Sequence, residues 1–345
     1  MKQKRSMILI VLGIISLVLI VGCGRGGEVS GGAPTTPFLG GSQGLEMKFL
    51  QGNPPDEITD GDGTTSTFPF KVIVTLRNMG EFDLKKDQVK ISLIGFLPED
   101  FGIADDPATT SVDEKDVLKD QNPEDDPSPR LRDSEGNIIE SVEVYKTFPK
   151  ADEDLKFKRQ LHGNTPFIFK ANVCYKYQTK AASEICFLEN LVDVADDAIC
   201  DPSEPKNIFS SGSPLGVPAF RQTVVGKDKI QFSFDIVHSG SGNVFDVTTV
   251  ADCPTASKDR RTKENKVDVN VNTGITSGNL KCSGFDAVTD GDASFTTTLV
   301  NGKRTITCTQ SLTSASDFIG PVVIKLDFNY LGSIQKEVLV KHLVS

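Results

Sequence analysis

Two stretches of this chain read alike. FPFKVIVTLRNMGEFDL runs from Phe68 to Leu84, and KIQFSFDIVHSGSGNVFDV runs from Lys229 to Val247. Each alternates apolar and polar residues, which in a strand places the apolar set on one face. Aligned on Gly80 and Gly240, the inward positions match: Phe70 with Ile230, Val72 with Phe232, Val74 with Phe234 and Leu76 with Ile236. Each run then breaks at a glycine-containing turn. A second pair lies further along: FIFKANVCYKYQTKAASEICF from Phe167 and VVIKLDFNYLGSIQKEVLV from Val322, with Tyr175 matching Phe328 and Tyr177 matching Tyr330. Two pairs in the same order at nearly the same offset indicate a duplication. The expected halves are residues 45–200 and 201–345. Each opens with a strand ending in an Asn/His-x-Gly turn and closes with a long hairpin.

Short alternating runs bounded by Gly, Pro, Asn and Asp continue throughout, as in Val89, Ile91 and Leu93. No sustained helical period occurs after the N-terminus. The reading is therefore all-β: two tandem β domains after an N-terminal signal or anchor helix.

At the N-terminus, Lys2, Lys4 and Arg5 precede an uninterrupted apolar stretch from Met7 to Gly22, then Cys23. A basic n-region before a short apolar region is the pattern of an export signal. Ile20-Val21-Gly22-Cys23 resembles a lipobox, which implies lipidation at Cys23; the same residues also suit an uncleaved signal anchor. Both place residues 1–23 at a membrane and the rest outside the cytoplasm. Residues 24–44, rich in Gly, Ser, Pro and Thr, read as a flexible tether.

Cys23 aside, six cysteines remain, an even set suited to disulfides in an oxidising compartment. On the expected closing hairpin, Cys174 and Cys186 leave the core side together, so a cross-strand bridge fits. Cys282 with Cys308 pairs two residues on strands of the second half. Cys200 with Cys253 is the remaining pair.

Composition excludes some functions. The net charge is -10, a poor match for nucleic acid, which needs clustered Lys and Arg. None of the three histidines (His162, His238, His342) lies in a nucleophile motif, and no phosphate-binding or zinc-protease motif occurs. No enzyme is expected, and His238 reads as a structural turn residue. Between Leu97 and Phe148 lies a polar stretch with an acidic insertion at about 98–130, from Asp105 to Asp126, followed by a DSEGN turn, Asp133 to Asn137, that should close a hairpin. The insertion reads as solvated loop and as a place for contacts. Asp60 and Asp62, in DGDG after Asp56 and Glu57, are oxygen ligands on a bent loop and the candidate Ca2+ site. The glutamate that would complete an EF-hand is absent. Asp286, Asp290 and Asp292 form a looser group. No other cofactor is expected.

The alternating strand ending in Asn-x-Gly, Val72 to Gly80 and more weakly Phe232 to Gly240, resembles the CARDB-like, adhesion-related Ig-like modules of archaeal and bacterial surface proteins. In the second copy His238 replaces the Asn. The layout of lipobox, tether and paired β units resembles archaeal cell-envelope lipoproteins. The resemblance implies an Ig-like sandwich, a surface location and no catalytic residues. The expected function is adhesion or protein contact at the cell envelope. The alternatives are a calcium- or glycan-binding surface module and a structural subunit of a membrane-anchored envelope complex. Partners are a membrane and an unidentified surface protein or glycan.

Overall fold

Alternation decides the local structure, and the computed structural model bears it out: the chain is mostly antiparallel β. The structure describes residues 36–60, 68–103, 118–149, 153–276, 279–284, 289–311 and 316–343. The expectations for residues 1–23, Cys23 included, and for the first part of the tether lie outside these.

The first half contributes β1 (Leu45–Phe49), β2 (Glu57–Thr59), β3 (Val72–Asn78), β4 (Val89–Ile94), β5 (Leu131–Arg132), β6 (Ile138–Ile139), β7 (Val144–Phe148) and β8 (Thr165–Phe187). The second contributes β9 (Ile208–Ser210), β10 (Leu215–Gly226), β11 (Lys229–His238), β12 (Asn243–Phe245), β13 (Lys266–Asn272), β14 (Asn279–Cys282), β15 (Thr289–Asp290), β16 (Asp292–Thr298), β17 (Lys303–Ser311) and β18 (Phe318–Lys341). One short helix, α1 (Ser257–Lys263), precedes β13.

The pairings repeat between the halves. β1 pairs β3, which pairs β7; likewise β10 pairs β11, which pairs β17. β4 pairs β8, and β13 pairs β18. Within each half the small sheet lies over the long strand. Phe70 meets Phe169 edge-on at 5.8 Å, and the Tyr177 hydroxyl donates to Asn78 Oδ1 at 2.9 Å. Val72, Val74, Leu76, Val89, Ile91 and Leu93 are buried, as their alternation predicts.

The halves share one sheet. β8 and β18 run antiparallel side by side from Thr165 opposite Val340 to Phe187 opposite Phe318. Lys176 opposite Asn329 is the centre of this ladder. Tyr175 faces Tyr330 and Tyr177 faces Phe328, so residues that match in sequence exchange places about that centre. The arrangement is an approximate twofold inside one chain. Residues 36–345 accordingly form one compact unit.

Neither closing hairpin forms: β8 and β18 are continuous strands of 23 and 24 residues. The residues midway between Cys174 and Cys186, Gln178 to Ser183, contain no Gly, Pro, Asn or Asp to make the turn such a hairpin needs. Its small residues face the core because the chain entering the second half crosses there. Thr179 Oγ1 donates to the Leu215 carbonyl, and Ser183 Oγ donates to that of Asn207.

The continuous strand also resets two disulfides. Cys174 and Cys186 do leave the same face, but about 3.3 Å per residue separates them by about 40 Å, far beyond a disulfide's reach. The bonds are Cys174–Cys253 and Cys186–Cys200 instead. Cys282–Cys308 forms as expected, from positions directly opposite on β14 and β17.

The Asn/His-x-Gly signature has a packing cause. A Cβ at Gly80 would lie 2.1 Å from both the Tyr177 hydroxyl and the Gly212 carbonyl oxygen. A Cβ at Gly240 would lie 2.1 Å from the Tyr330 hydroxyl. Asn78 binds the Tyr177 hydroxyl, and His238 Nε2 lies 3.3 Å from the Tyr330 hydroxyl. Each half thus seats a tyrosine from its long strand in its glycine turn. His238 is structural, as its turn position suggests. Burial pushes the Tyr177 and Tyr330 hydroxyls up, so both stay protonated; Tyr177 donates to Asn78, and Tyr330 accepts from the Gly242 amide.

The later part of the expected tether is fixed. The amides of Leu39, Gly40 and Gly212 all donate to the Glu81 carboxylate. Residues 39–44 therefore belong to the folded unit.

Candidate functional site

The calcium candidate resolves first. Asp60 is buried, and its carboxylate is fully engaged: it accepts from the Leu161 and Leu343 amides at 2.9 and 2.8 Å and pairs with His342 Nδ1 at 2.7 Å. Burial alone would raise the Asp60 carboxyl, but the His342 hydrogen bond and the two amides outweigh it and hold it at about 2. Asp60 is a clasp that fastens the end of β18 beside β2, where Val340 and Lys341 pair in parallel with Ile58 and Thr59. Asp62 and Asp286 lie outside the described residues. Asp292 is bound by the Asn270 and Asn272 side-chain amides. Among the described residues no cluster of three or more metal-ligating side chains occurs.

The clasp makes a test. Asp60→Asn should cost about 2 kcal/mol at neutral pH, since hydrogen bonds to a charged acceptor are the stronger kind. A carboxyl depressed below its usual 3.8 stabilises the fold above that pH and stops doing so as pH falls through about 2. The gap between wild type and variant in urea melts should therefore narrow as pH falls from 4 towards 2. A gap that stays constant or widens over that interval would contradict the assignment.

The acidic insertion divides in two. Residues 104–117 lie outside the description. In the described flanks the acidic residues Asp120, Glu124, Asp125 and Asp126 are exposed, as expected of solvated loop, while apolar residues beside them anchor the chain. Phe101 is fully buried, with ring centroids of Phe96, Phe157, Phe167 and Phe169 at 5.0, 5.3, 5.4 and 5.1 Å. Leu118 is buried too, and Gln121 exchanges backbone hydrogen bonds with Ile91 of β4.

The DSEGN turn does close a hairpin, β5–β6. Asp133 organises its tip: the amides of Glu135 and Asn137 donate to its carboxylate. The base is equally fixed. Arg130 Nε and Nη2 each donate to the Glu140 carboxylate at 3.0 Å, Arg77 adds a third contact, and the Arg130 amide donates to the Gly80 carbonyl. The Arg130 hydrogen bond holds the Glu140 carboxyl below the usual glutamate range.

What the hairpin carries is apolar. Leu131, Ile138 and Ile139 are each about half exposed, and Val142 and Tyr145 beside them are exposed as well. Leu131 and Ile139 are directly opposite and share a face; Ile138 is on the other with Arg132. Exposed aliphatic side chains on both faces of a short, anchored two-stranded element are suited to contact with another surface. Sequence reading found the turn but not the surface. The signal was there: three aliphatics flank a tight turn, with no long alternating strand beside them to cover them.

The comparisons add little. No protein-family model matches the chain, and no curated protein matches it. A solved structure, the secreted serine protease VesC from Vibrio cholerae, aligns at a TM-score of 0.15 and 8% identity, over 81% of this chain and 49% of that one. This chain thus spans about half of that structure's length. A likeness at that level carries no argument about fold or activity.

Proposed function

We propose that this is a non-enzymatic envelope protein, held at a membrane by its N-terminus through a lipid on Cys23 or a signal anchor, that displays a duplicated Ig-like β unit for contact with another surface protein. Three disulfides tie six cysteines and support an oxidising, extracytoplasmic setting. The single observation that carries the contact reading is the β5–β6 hairpin, with half-exposed Leu131, Ile138 and Ile139 on a base fixed by Arg130 and Glu140.

A photo-crosslinking side chain placed at Ile138 of the full chain, on intact cells, tests this. The expected result is a discrete adduct to another envelope protein, absent when the same group replaces exposed Lys258 on α1. Equal labelling from both positions removes the hairpin from consideration. Intact-mass measurement without reduction tests the location: three disulfides are expected, and six free thiols would overturn the reading.

A further inference from the structure

An exposed strand edge is a template for another strand, and folds ordinarily blunt theirs. Most edges here are blunted. The outer side of β4 is taken by Leu118 and Gln121, and that of β7 in part by the Glu124 amide, which donates to the Tyr145 carbonyl. β1 carries Glu46 and Lys48, β10 contains Pro218 and two register shifts, and β15 is only two residues long.

β16 differs. It is the outermost strand of the eight-stranded sheet, beyond β13. Its pairing with β13 runs without a register shift from Asp292 to Thr298. Ala293 to Thr298 include no charge and no proline. The phase of its backbone follows from the ladder's two ends. The Leu299 amide donates to the Asn265 carbonyl and the Thr273 amide to that of Gly291, so the odd-numbered residues bond inward. Ser294, Thr296 and Thr298 therefore turn their N–H and C=O groups outward. Their side chains are exposed, while Ala293 and Thr297 on the other face are buried.

We infer that β16 is a homotypic pairing edge, at which a second copy of this chain adds its own β16 antiparallel, centred on Thr296. The strand is complementary to itself in this register. Thr296 meets its own counterpart and Ser294 meets Thr298 of the second copy, so no like charges are directly opposed; within each copy the Thr296 hydroxyl donates to Asp268 and the Ser294 hydroxyl accepts from Asn270. Asp292, the strand's one charge, falls beyond these pairs and is already bound by Asn270 and Asn272. The chemistry of the edge thus selects an uncharged, hydroxyl-bearing extended strand, and β16 is one. The geometry also continues what the fold does internally at β8–β18: two matching halves joined edge to edge. This inference is independent of the β5–β6 hairpin and of what the hairpin contacts.

The test is sedimentation of the full chain in detergent at micromolar concentrations, with Thr296→Pro and Thr296→Lys beside wild type. The Thr296 N–H faces away from β13, so proline there removes no internal ladder bond. Wild type should sediment as a dimer, and both variants should weaken self-association by about tenfold or more. Circular dichroism checks that they stay folded, and the lysine variant serves if proline does not. Thr296→Cys should give an intermolecular disulfide on mild oxidation. A monomeric wild type overturns the inference, and so does a dimer unmoved by both substitutions.

Discussion

Replacing Phe101 with alanine should destabilise the protein by about 3–5 kcal/mol, the usual cost of emptying a fully buried phenylalanine site. The ring is the hub of an aromatic cluster. Five phenylalanines surround it, Phe70 at 6.1 Å and the others nearer, mostly edge-to-face. Its neighbours come from four stretches of chain, two of them, Phe167 and Phe169, on β8, so filling the space would require several segments to move together. The surrounding backbone is fixed as well: the Lys156 amide donates to the Phe101 carbonyl, and Arg159 binds the Asp100 carboxylate through two contacts of 3.0 Å. A cavity there should persist rather than collapse, which favours the upper part of the range. Urea unfolding is the measurement. A loss below about 1 kcal/mol would mean that the cluster repacks and that Phe101 is not its keystone.

The second large effect belongs to Cys174–Cys253. Replacing both cysteines with alanine should cost about 4.5 kcal/mol by the chain-entropy estimate for a bridge of sequence separation 79. The bond joins β8 to the loop before α1, across the two halves. That loop is also gathered by the buried Asn329, whose side-chain amide donates to the Asp246 and Thr249 carbonyls. The comparison is internal: Cys186–Cys200, with a separation of 14, should cost about 3 kcal/mol to remove. If the short bridge proves the more stabilising, native contacts rather than unfolded-state entropy set the order.

Much of the fold was legible because the chain states it twice. Matching Gly80 with Gly240 and Tyr177 with Tyr330 paired the residues that make equivalent contacts in the two halves, though not the contacts themselves. The reason for the contacts was not legible, since a sequence does not display that a hydroxyl occupies the space of a missing Cβ. Local alternation placed the buried faces of β3 and β4 correctly. It could not choose partners. β8 and β18 each contain enough alternation for a hairpin, and only the remote strand decides that they run straight. The disulfides follow the same division. Cys282–Cys308 depended on neighbouring strands and was readable; the other two depended on the absent turn and were not. Asp60 shows the limit at a site. DGDG suggests a cation, but its true partner, His342, lies 282 positions away. The contact surface failed differently: Leu131, Ile138 and Ile139 were visible, and their exposure was not.

The shared ladder has a consequence for how this protein comes to exist. Its pairs join residues as distant as Thr165 and Val340. While the first half emerges alone, β8 presents one bare flank with no strand of its own neighbourhood to cover it. Topology of this kind folds slowly, because distant loops must close before contacts reward the closure. On the envelope location proposed above, that delay keeps the chain open during export. Its most committed strand pair cannot form until both halves have arrived on the same side.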